Sequence, residues 1–353
     1  MVKIKIEILK TTIHILSVHA NAPNPFISIL ANGISSDQYH VDSNINAFWD
    51  RQKKYDLIQI HWPEFLFYSK NKNLPTSEYG ERLSETLKQW KNCGTKIVFT
   101  RHDVATHYVQ GQEVRTNLFE IIESNADAIV HLGYFSKDQM IRRTPVNNQL
   151  HVVIPHHIYD EYYPYSFSMT KARKDLEIHE KFKVILTFGT FRDLEEHMLI
   201  KNAFEQLNEP DKYLFAPAWY HDGWHEYKNI QITLDGNCWL GRGTVNSNML
   251  PYCFAAADVV FIQRLRNLNS GNLPMGFLFN KTVVAPAIGN MTEYLDNIHN
   301  FSFDPFDSSS VLHALEKGLE RSKYPQMNKT YAMKHWSTAK ICDQYRKLYQ
   351  QLT

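Results

Sequence analysis

Short runs rich in Ile, Val and aromatic residues alternate along the chain with longer stretches in which apolar residues recur every three or four positions. That alternation is the pattern of βαβ units, in which strands are buried on both faces and each crossover helix turns one apolar stripe to a parallel sheet. In the first half it predicts strands at Thr12–Val18, Tyr39–Val41, Leu57–His61, Lys96–Thr100, Ala128–His131 and His151–Ile154, with helices at Pro25–Asn32, Glu78–Trp90, Leu118–Ser124 and Ser136–Arg143. The Glu78 helix reads most clearly. Leu83, Leu87 and Trp90 share one stripe, Glu81, Glu85 and Lys88 face solvent, and Gly94 supplies a left-handed stop.

From His156 to about Glu180 the alternation stops, leaving a polar, aromatic stretch with one short helix, which reads as an interdomain linker. A second series follows, with strands predicted at Lys183–Phe188, Tyr213–Ala216, Ile230–Leu234, Val259–Gln263, Val283–Ala285 and Phe301–Phe303. Its helices are predicted at Leu194–Leu207, Asn246–Ala256, Asn272–Phe279, Met291–Asp296 and Ser309–Arg321. The expected division is an N-terminal domain over 1–158, a linker over 159–180, a C-terminal domain over 181–327 and a last helix over 328–353. That helix carries Tyr331, Trp336, Ile341, Tyr345 and Tyr349, too much aromatic surface to stay wet, so it is expected to pack back across the junction. The fold class is α/β: two Rossmann-like parallel-sheet domains, expected to face each other across a cleft.

Composition narrows the function classes. With 43% hydrophobic and 13% aromatic residues, a chain of 353 residues has ample surface for two cores and is not disordered. Its 38 Lys and Arg balance 37 Asp and Glu, leaving no global field to gather nucleic acid, so ligands must be recognised locally. The longest apolar stretches, such as Ala255 to Ile262 with Asp258 inside it, are far too short to span a membrane. Residues Met1 to Lys10 alternate charge with Ile and lack a secretory core, so a cytoplasmic location is expected. Cys93, Cys238, Cys253 and Cys342 show no C-x-x-C spacing and read as reduced core thiols.

In an open parallel sheet, ligands bind at the carboxyl ends of the strands, which restricts the search for chemistry. After the first strand of the second half come Gly189 and Arg192, a glycine that admits a ligand to the backbone and an arginine fork suited to phosphate. After the strand at Val259 come Arg264, Arg266, Ser270, Gly271 and Asn272, cations beside a helix start, where unpaired N–H groups favour an anion. Gly289 and Glu293 follow the strand at Val283. A turn glycine, a solvated arginine and an ordinary helix cap would explain the same residues without a ligand.

The strand ends of the first half carry histidines instead: His61 with Glu64, His102 with Asp103 and His107, His131, then His156 and His157. Together with Phe26 they read as a polar edge for hydroxyl recognition, although any one could be a buried structural histidine. His102 and His107 are five apart, which turns them to different helix faces and argues against a zinc pair. No Asp-x-Asp element and no G-x-G-x-x-G after the first strand are present, so no metal and no nicotinamide or flavin cofactor is expected.

These residues, taken in order, resemble the GT-B fold glycosyltransferases with which bacteria build surface polysaccharides, family four and its relatives. The matching stretches are IHWPE (60 to 64), TRHD (100 to 103), VIPHHIYDEYYP (153 to 164), FGTFRDLEEHMLIKNAF (188 to 204), LPYCFAAADVVFI (250 to 262) and LNSGNLPMGFLFNKTVVAPAIGNMTE (268 to 293). The resemblance implies metal-independent transfer of a sugar, a hexose above all, from a nucleotide-diphosphate sugar to a saccharide or lipid-linked saccharide. In that reading Gly189, Arg192, Arg264, Ser270, Gly271 and Asn272 hold the donor diphosphate, and Gly289 and Glu293 meet the ribose or sugar. His102 and Asp103 are the catalytic candidates, and Phe26, His61, Glu64, His107 and His156 edge the acceptor site. A lipid-linked acceptor would bring the chain to the inner face of the membrane. Two departures stand out: Glu195–Glu196 replaces the Lys-Gly common after the arginine, and Asn267 to Met275 holds no glutamate. A GT-B fold epimerase or hydrolase, or a noncatalytic two-domain sugar-binding protein, are the rival readings.

Overall fold

The computed structural model describes residues 12–18, 25–63, 66, 76–103, 112–143, 148–220 and 232–353. They fall into two compact units: one comprises residues up to Leu132, Gln139–Ile154 and Ala339–Thr353, the other Gly133–Asp138 and Pro155–Thr338.

In the first unit β1 (Ile13–Val18), β2 (Tyr39–Asp42), β3 (Leu57–Ile60), β4 (Lys96–Arg101), β5 (Ala128–His131) and β6 (Leu150–Val153) form one sheet in the order β2-β1-β3-β4-β5-β6. Every pairing is parallel. The helices are α1 (Phe26–Ile34), α2 (Ile45–Asp50), α3 (Thr76–Asn92), α4 (Gln112–Asn125) and α5 (Tyr134–Arg143), whose first five residues belong to the second unit. Leu16, Ile58, Ile97, Phe99 and Ile129 from the sheet pack with Leu83, Leu87 and Trp90 of α3, the stripe expected from the sequence. Helix α2 has no signal in the periodicity because it is barely two turns long. Asn44 starts it by accepting from the Asn46 N–H, and Phe48 and Trp49 bury it.

The second unit repeats the plan with β7 (Lys183–Thr187), β8 (Lys212–Tyr220), β9 (Asn237–Arg242), β10 (Val259–Phe261), β11 (Thr282–Pro286) and β12 (Phe301–Phe303), ordered β12-β11-β10-β7-β8-β9 and again all parallel. Its helices are α6 (Met169–Asp175), α7 (Leu194–Gln206), α8 (Leu250–Ala256), α9 (Asn272–Leu278), α10 (Ser308–Ser322) and α11 (Asn328–His335). The strand expected at Ile230–Leu234 is not one over its described part, 232–234; the sixth strand is β9. As an edge strand β9 alternates exposed and covered residues and so lacks the apolar run of a central one. The helix expected at Met291–Asp296 is a 3₁₀ turn over Gly289–Glu293.

At the amino ends of these strands Arg173 of α6 is buried against Asp258, Nη2 to Oδ2 at 2.6 Å, and also donates to the carbonyls of Ala256, Glu180 and Phe182. Asp258 accepts from the Val184 N–H as well. Lys281 enters the same end, donating to Ala255 O at 2.8 Å. Burial pushes its ammonium down to about 8, with Asp258 opposing the shift and Arg173 adding to it.

The last helix of the sequence reading is two. The chain breaks after α11, where the N–H and Oγ1 of Thr338 both donate to Asp160 Oδ1 and begin α12 (Thr338–Leu352). From Ala339 onward α12 belongs to the first unit. Tyr349 Oη donates to Gln59 Oε1 at 3.0 Å, Gln59 Nε2 donates to Thr100 Oγ1 at 2.7 Å, and Thr100 Oγ1 lies 3.1 Å from Tyr345 Oη. All four are buried, and burial holds both phenols above their usual range. Of the cysteines only Cys253 and Cys342 are core thiols; Cys93 is exposed and Cys238 half-buried. No helix among the described residues is long and apolar enough to cross a membrane.

Two outcomes follow from these networks. Tyr349→Phe leaves Gln59 Oε1 without its buried donor and should cost about 1–3 kcal/mol, read as a lower melting temperature. Lys281 has a folded pKa below its unfolded value, so the unfolded chain holds more protons between about pH 8 and 10.5 and stability rises across that window. Relative to Lys281→Met, the wild type should therefore gain as pH rises from 8 to 10.5. A gap that stays constant in denaturant titrations at both ends of the window would show that Lys281 does not titrate there.

Candidate functional site

Counted within its own unit, the second sheet has the order 3-2-1-4-5-6, whose reversal falls between β7 and β10. At that point neighbouring connections leave in opposite directions and open a crevice at the carboxyl ends of the strands. Its floor is a buried polar pair: Thr187 Oγ1 donates to Gln263 Oε1 at 2.8 Å, and Gln263 Nε2 to Gly189 O at 3.3 Å. Asn272 Nδ2 donates to Phe188 O at 2.6 Å, tying the start of α9 to the same turn. Gly189 sits at φ 96°, and a Cβ there would meet Arg264 Nη2 at 3.2 Å, so both backbone and space call for glycine.

The cations above this floor differ in their commitments. Arg264 Nη1 pairs with Glu196 Oε2 at 2.6 Å and donates to Thr190 O at 2.8 Å. Glu196 is buried, and the same oxygen accepts from the Arg192 N–H at 2.9 Å. Glu196, the second residue of the pair that replaces Lys-Gly, thus neutralises Arg264 and shapes the turn. Asp193 caps α7 by accepting from the Glu196 N–H, which fixes that glutamate in the first turn. Arg192 Nη1 donates to Arg266 O at 3.0 Å, joining the β7 and β10 loops.

Ser270 Oγ accepts from the Asn272 N–H, and Gly271 faces a residue that the sequence reading did not single out. A Cβ on Gly271 would lie 3.2 Å from Tyr159 Oη. Tyr159 is buried at φ 62°, a strained conformation for an aromatic residue. Its hydroxyl lies 3.3 Å from His156 Nε2, and His156 Nδ1 lies 2.5 Å from His157 O. A carbonyl only accepts, so Nδ1 carries the hydrogen and Nε2 accepts from Tyr159. Burial, with His157 alongside, pushes His156 down to about 3 and keeps it neutral. His156 therefore stands in the second unit beside Gly271 and not with the histidines of the first.

Gly289 and Glu293 both make contacts within the chain. A Cβ on Gly289 would strike Leu268 O at 2.5 Å. The Asn290 N–H donates to Leu268 O and its Nδ2 to Asn269 Oδ1, while its Oδ1 accepts from the Ser136 N–H. Glu293 Oε1 accepts from the Phe135 N–H at 2.5 Å, so its carboxylate caps the first turn of α5.

In the first unit the reversal falls between β1 and β3. His61 follows β3 and His102 follows β4; His61 Nδ1 lies 3.0 Å from His102 Nε2, and both rings are buried. One nitrogen donates and the other accepts, so a single hydrogen lies between them. Trp62 stacks on His102 at 4.3 Å, and Phe26 at the start of α1 meets both imidazoles edge-on. Asp103 is buried beside them in sequence. His131 pairs with His151, 3.0 Å away, at the next strand end. Glu64 and His107 lie outside the described residues.

Neither a protein-family profile nor a curated protein sequence matches this chain. Its fold does have counterparts among solved structures. A sucrose-phosphate synthase from Thermosynechococcus elongatus is similar with a TM-score of 0.71 at 14% identity, over 97% of this chain and 99% of that one. HepE from Anabaena, in complex with UDP-glucose, is similar at 0.69 and 14%, over 96% and 99%. A glycosyltransferase from Rickettsia africae is similar at 0.60 and 12%, over 97% and 98%.

The chain has the GT-B fold. Both Rossmann-like units are accounted for, since each match runs nearly end to end on both chains. Within this GT-B fold, no cluster of three His, Cys, Asp or Glu side chains suited to a metal occurs among the described residues.

The buried Arg264–Glu196 pair makes a direct claim. Arg264→Ala strands a carboxylate that is 2% exposed and should lower stability by about 3 kcal/mol or more. Adding Glu196→Gln should recover part of that loss, and an Arg264→Ala protein melting like the wild type would contradict the pairing.

Proposed function

We propose that the chain is a glycosyltransferase that moves a sugar, a hexose above all, from a nucleotide-diphosphate sugar to a saccharide or lipid-linked saccharide. The observation that carries this reading is the crevice at the β7/β10 reversal, where a glycine turn, Arg192, Ser270, Gly271 and Asn272 converge in the place where doubly wound sheets take nucleotides. Similar structures bound to UDP and UDP-glucose support a nucleotide-sugar donor.

In this reading Arg192 and the backbone of the Ser270–Asn272 turn hold the departing diphosphate, and Gln263, Asn272 and the Arg264–Glu196 pair keep the turn in shape. Charge on the leaving group is met by arginine and N–H groups, which gives the reaction a route without metal. The acceptor chemistry falls to the first unit. A base that accepts a hydroxyl proton suits His102, whose ring His61 holds in place, with Asp103 beside it. An epimerase or hydrolase would need only the donor crevice; the ordered histidine pair favours a separate acceptor. The cytoplasm supplies the nucleotide sugars such a reaction uses.

The test is a panel of nucleotide sugars by thermal shift, where a donor at about 100 times its Kd should add roughly 2.7 kcal/mol, followed by assay of nucleotide release with and without saccharide acceptors. Release that depends on the acceptor and survives EDTA is expected. No stabilisation by any nucleotide sugar would overturn the proposal, and equal release without acceptor would make the protein a hydrolase. Arg192→Ala should weaken donor binding by about 1.5–3 kcal/mol with little change in melting temperature. Asp103→Asn and His102→Gln should keep donor affinity while turnover falls about a hundredfold or more.

A further inference from the structure

His197, near the start of α7, meets a carbonyl oxygen at each ring nitrogen. Its Nδ1 lies 2.9 Å from Asp193 O and its Nε2 lies 3.0 Å from Trp219 O. Asp193 is the residue that caps the helix. Trp219 stands near the end of β8, past Phe215, where the pairing with β7 stops, and inside the register shift between Ala216 and Tyr220 in the pairing with β9. A carbonyl only accepts, and a neutral imidazole carries one hydrogen, so a neutral ring serves one of these oxygens and turns a lone pair on the other. A ring with hydrogen on both nitrogens serves both.

The aromatic surroundings suit the charged form. Phe191 stacks on the imidazole with centroids 4.2 Å apart and planes 22° apart, and Trp219 meets it edge-on at 4.8 Å. A positive ring is attracted to an aromatic face. The charged and titratable groups close by in sequence on the packed elements are engaged elsewhere. On α7 and the turn before it, Asp193 accepts from the Glu196 N–H, Glu196 pairs with Arg264, Lys201 pairs with Glu205, and Arg192 donates to Arg266 O. On β8, Tyr220 Oη donates to Ile232 O, and Arg242 of β9 lies over the Tyr220 ring. Among the described residues no carboxylate bonds His197.

We infer that His197 is a positioning residue: an imidazolium clip that ties the β7 turn to the end of β8 and opens when the ring loses its second hydrogen. The clip grips both neighbours of Arg192, the Phe191 ring by stacking and the Asp193 carbonyl by a hydrogen bond. Arg192 itself is held through its N–H by Glu196 and through its guanidinium by Arg266 O, so His197 completes the hold on this segment from the β8 side. With one hydrogen gone, either the cap carbonyl or the β8 carbonyl loses its donor, and the turn is tied at one end only. That this turn holds a diphosphate rests on the transferase reading. The clip does not.

Histidine-selective ¹⁵N labelling of the full chain reads the ring nitrogens between about pH 5 and 8, the range in which histidines change charge, with the His197 signals identified by their loss in His197→Gln. Both nitrogens should carry hydrogen at the acid end. Glutamine keeps one donor and does not titrate, so each further measurement is taken as the ratio of wild type to His197→Gln at the same pH. Amide-exchange protection over residues 189–193 should be about three- to tenfold greater in the wild type at the acid end and fall toward parity as the ring titrates. The ratio of UDP affinities, measured by calorimetry, should fall by a similar factor over the same range. A ring with one bare nitrogen at the acid end, an exchange ratio indifferent to pH, or a UDP ratio that does not follow the ring would each overturn the inference. UDP that binds at no pH would count against the transferase reading, and the ring and exchange measurements would then decide the clip. Circular dichroism melts confirm that the variant is folded, and His197→Asn takes its place if it is not.

Discussion

A parallel sheet covered on both faces has only its two ends for polar chemistry, and both units obey that constraint. The amino ends of β7, β10 and β11 gather Arg173, Asp258 and Lys281, the first two paired with each other and all three bound to backbone groups. The carboxyl ends gather Thr187, Gln263, Arg264 and Asn272 in one unit and His61, His102 and Asp103 in the other. Inside the first sheet Gln59 and Thr100 are polar, and there α12 brings two phenols to satisfy them. Any binding function has to be built from what the ends present.

Seen this way, much of the charge at the crevice is structural. Glu196 takes Arg264 out of play as an unpaired cation and orders the turn that carries Arg192. Asn290 reaches Leu268, Asn269 and Ser136 at once, holding the loop before α9 from behind. Such bonds are made before any ligand arrives, so a ligand need not order these groups.

The strands and most helices could be read from the chain because buried strands are continuous apolar runs and covered helices carry a stripe. The misplaced elements lacked that signal: β9 lies on an edge, α2 is short, and α11 and α12 are separated by Asp160, which is remote in sequence from Thr338. At the candidate site, residue types at strand ends were legible, but partnerships were not. The Glu195–Glu196 pair looked like a missing cation until Glu196 was seen against Arg264, 68 positions away. Glu293 was legible as a polar residue after a glycine turn, but not its bond to the Phe135 N–H, 158 positions earlier. Tyr159 gave no signal at all, since its strain belongs to the backbone.

The units are not consecutive in the chain, which passes between them at residues 132/133, 138/139, 154/155 and 338/339. During synthesis the ribosome therefore delivers the whole second unit before α12 emerges. Until then Gln59 and Thr100 have each other but neither tyrosine, and the first sheet lacks the helix that covers them. The domain that begins first is completed last, and no cut at a single peptide bond yields both units whole.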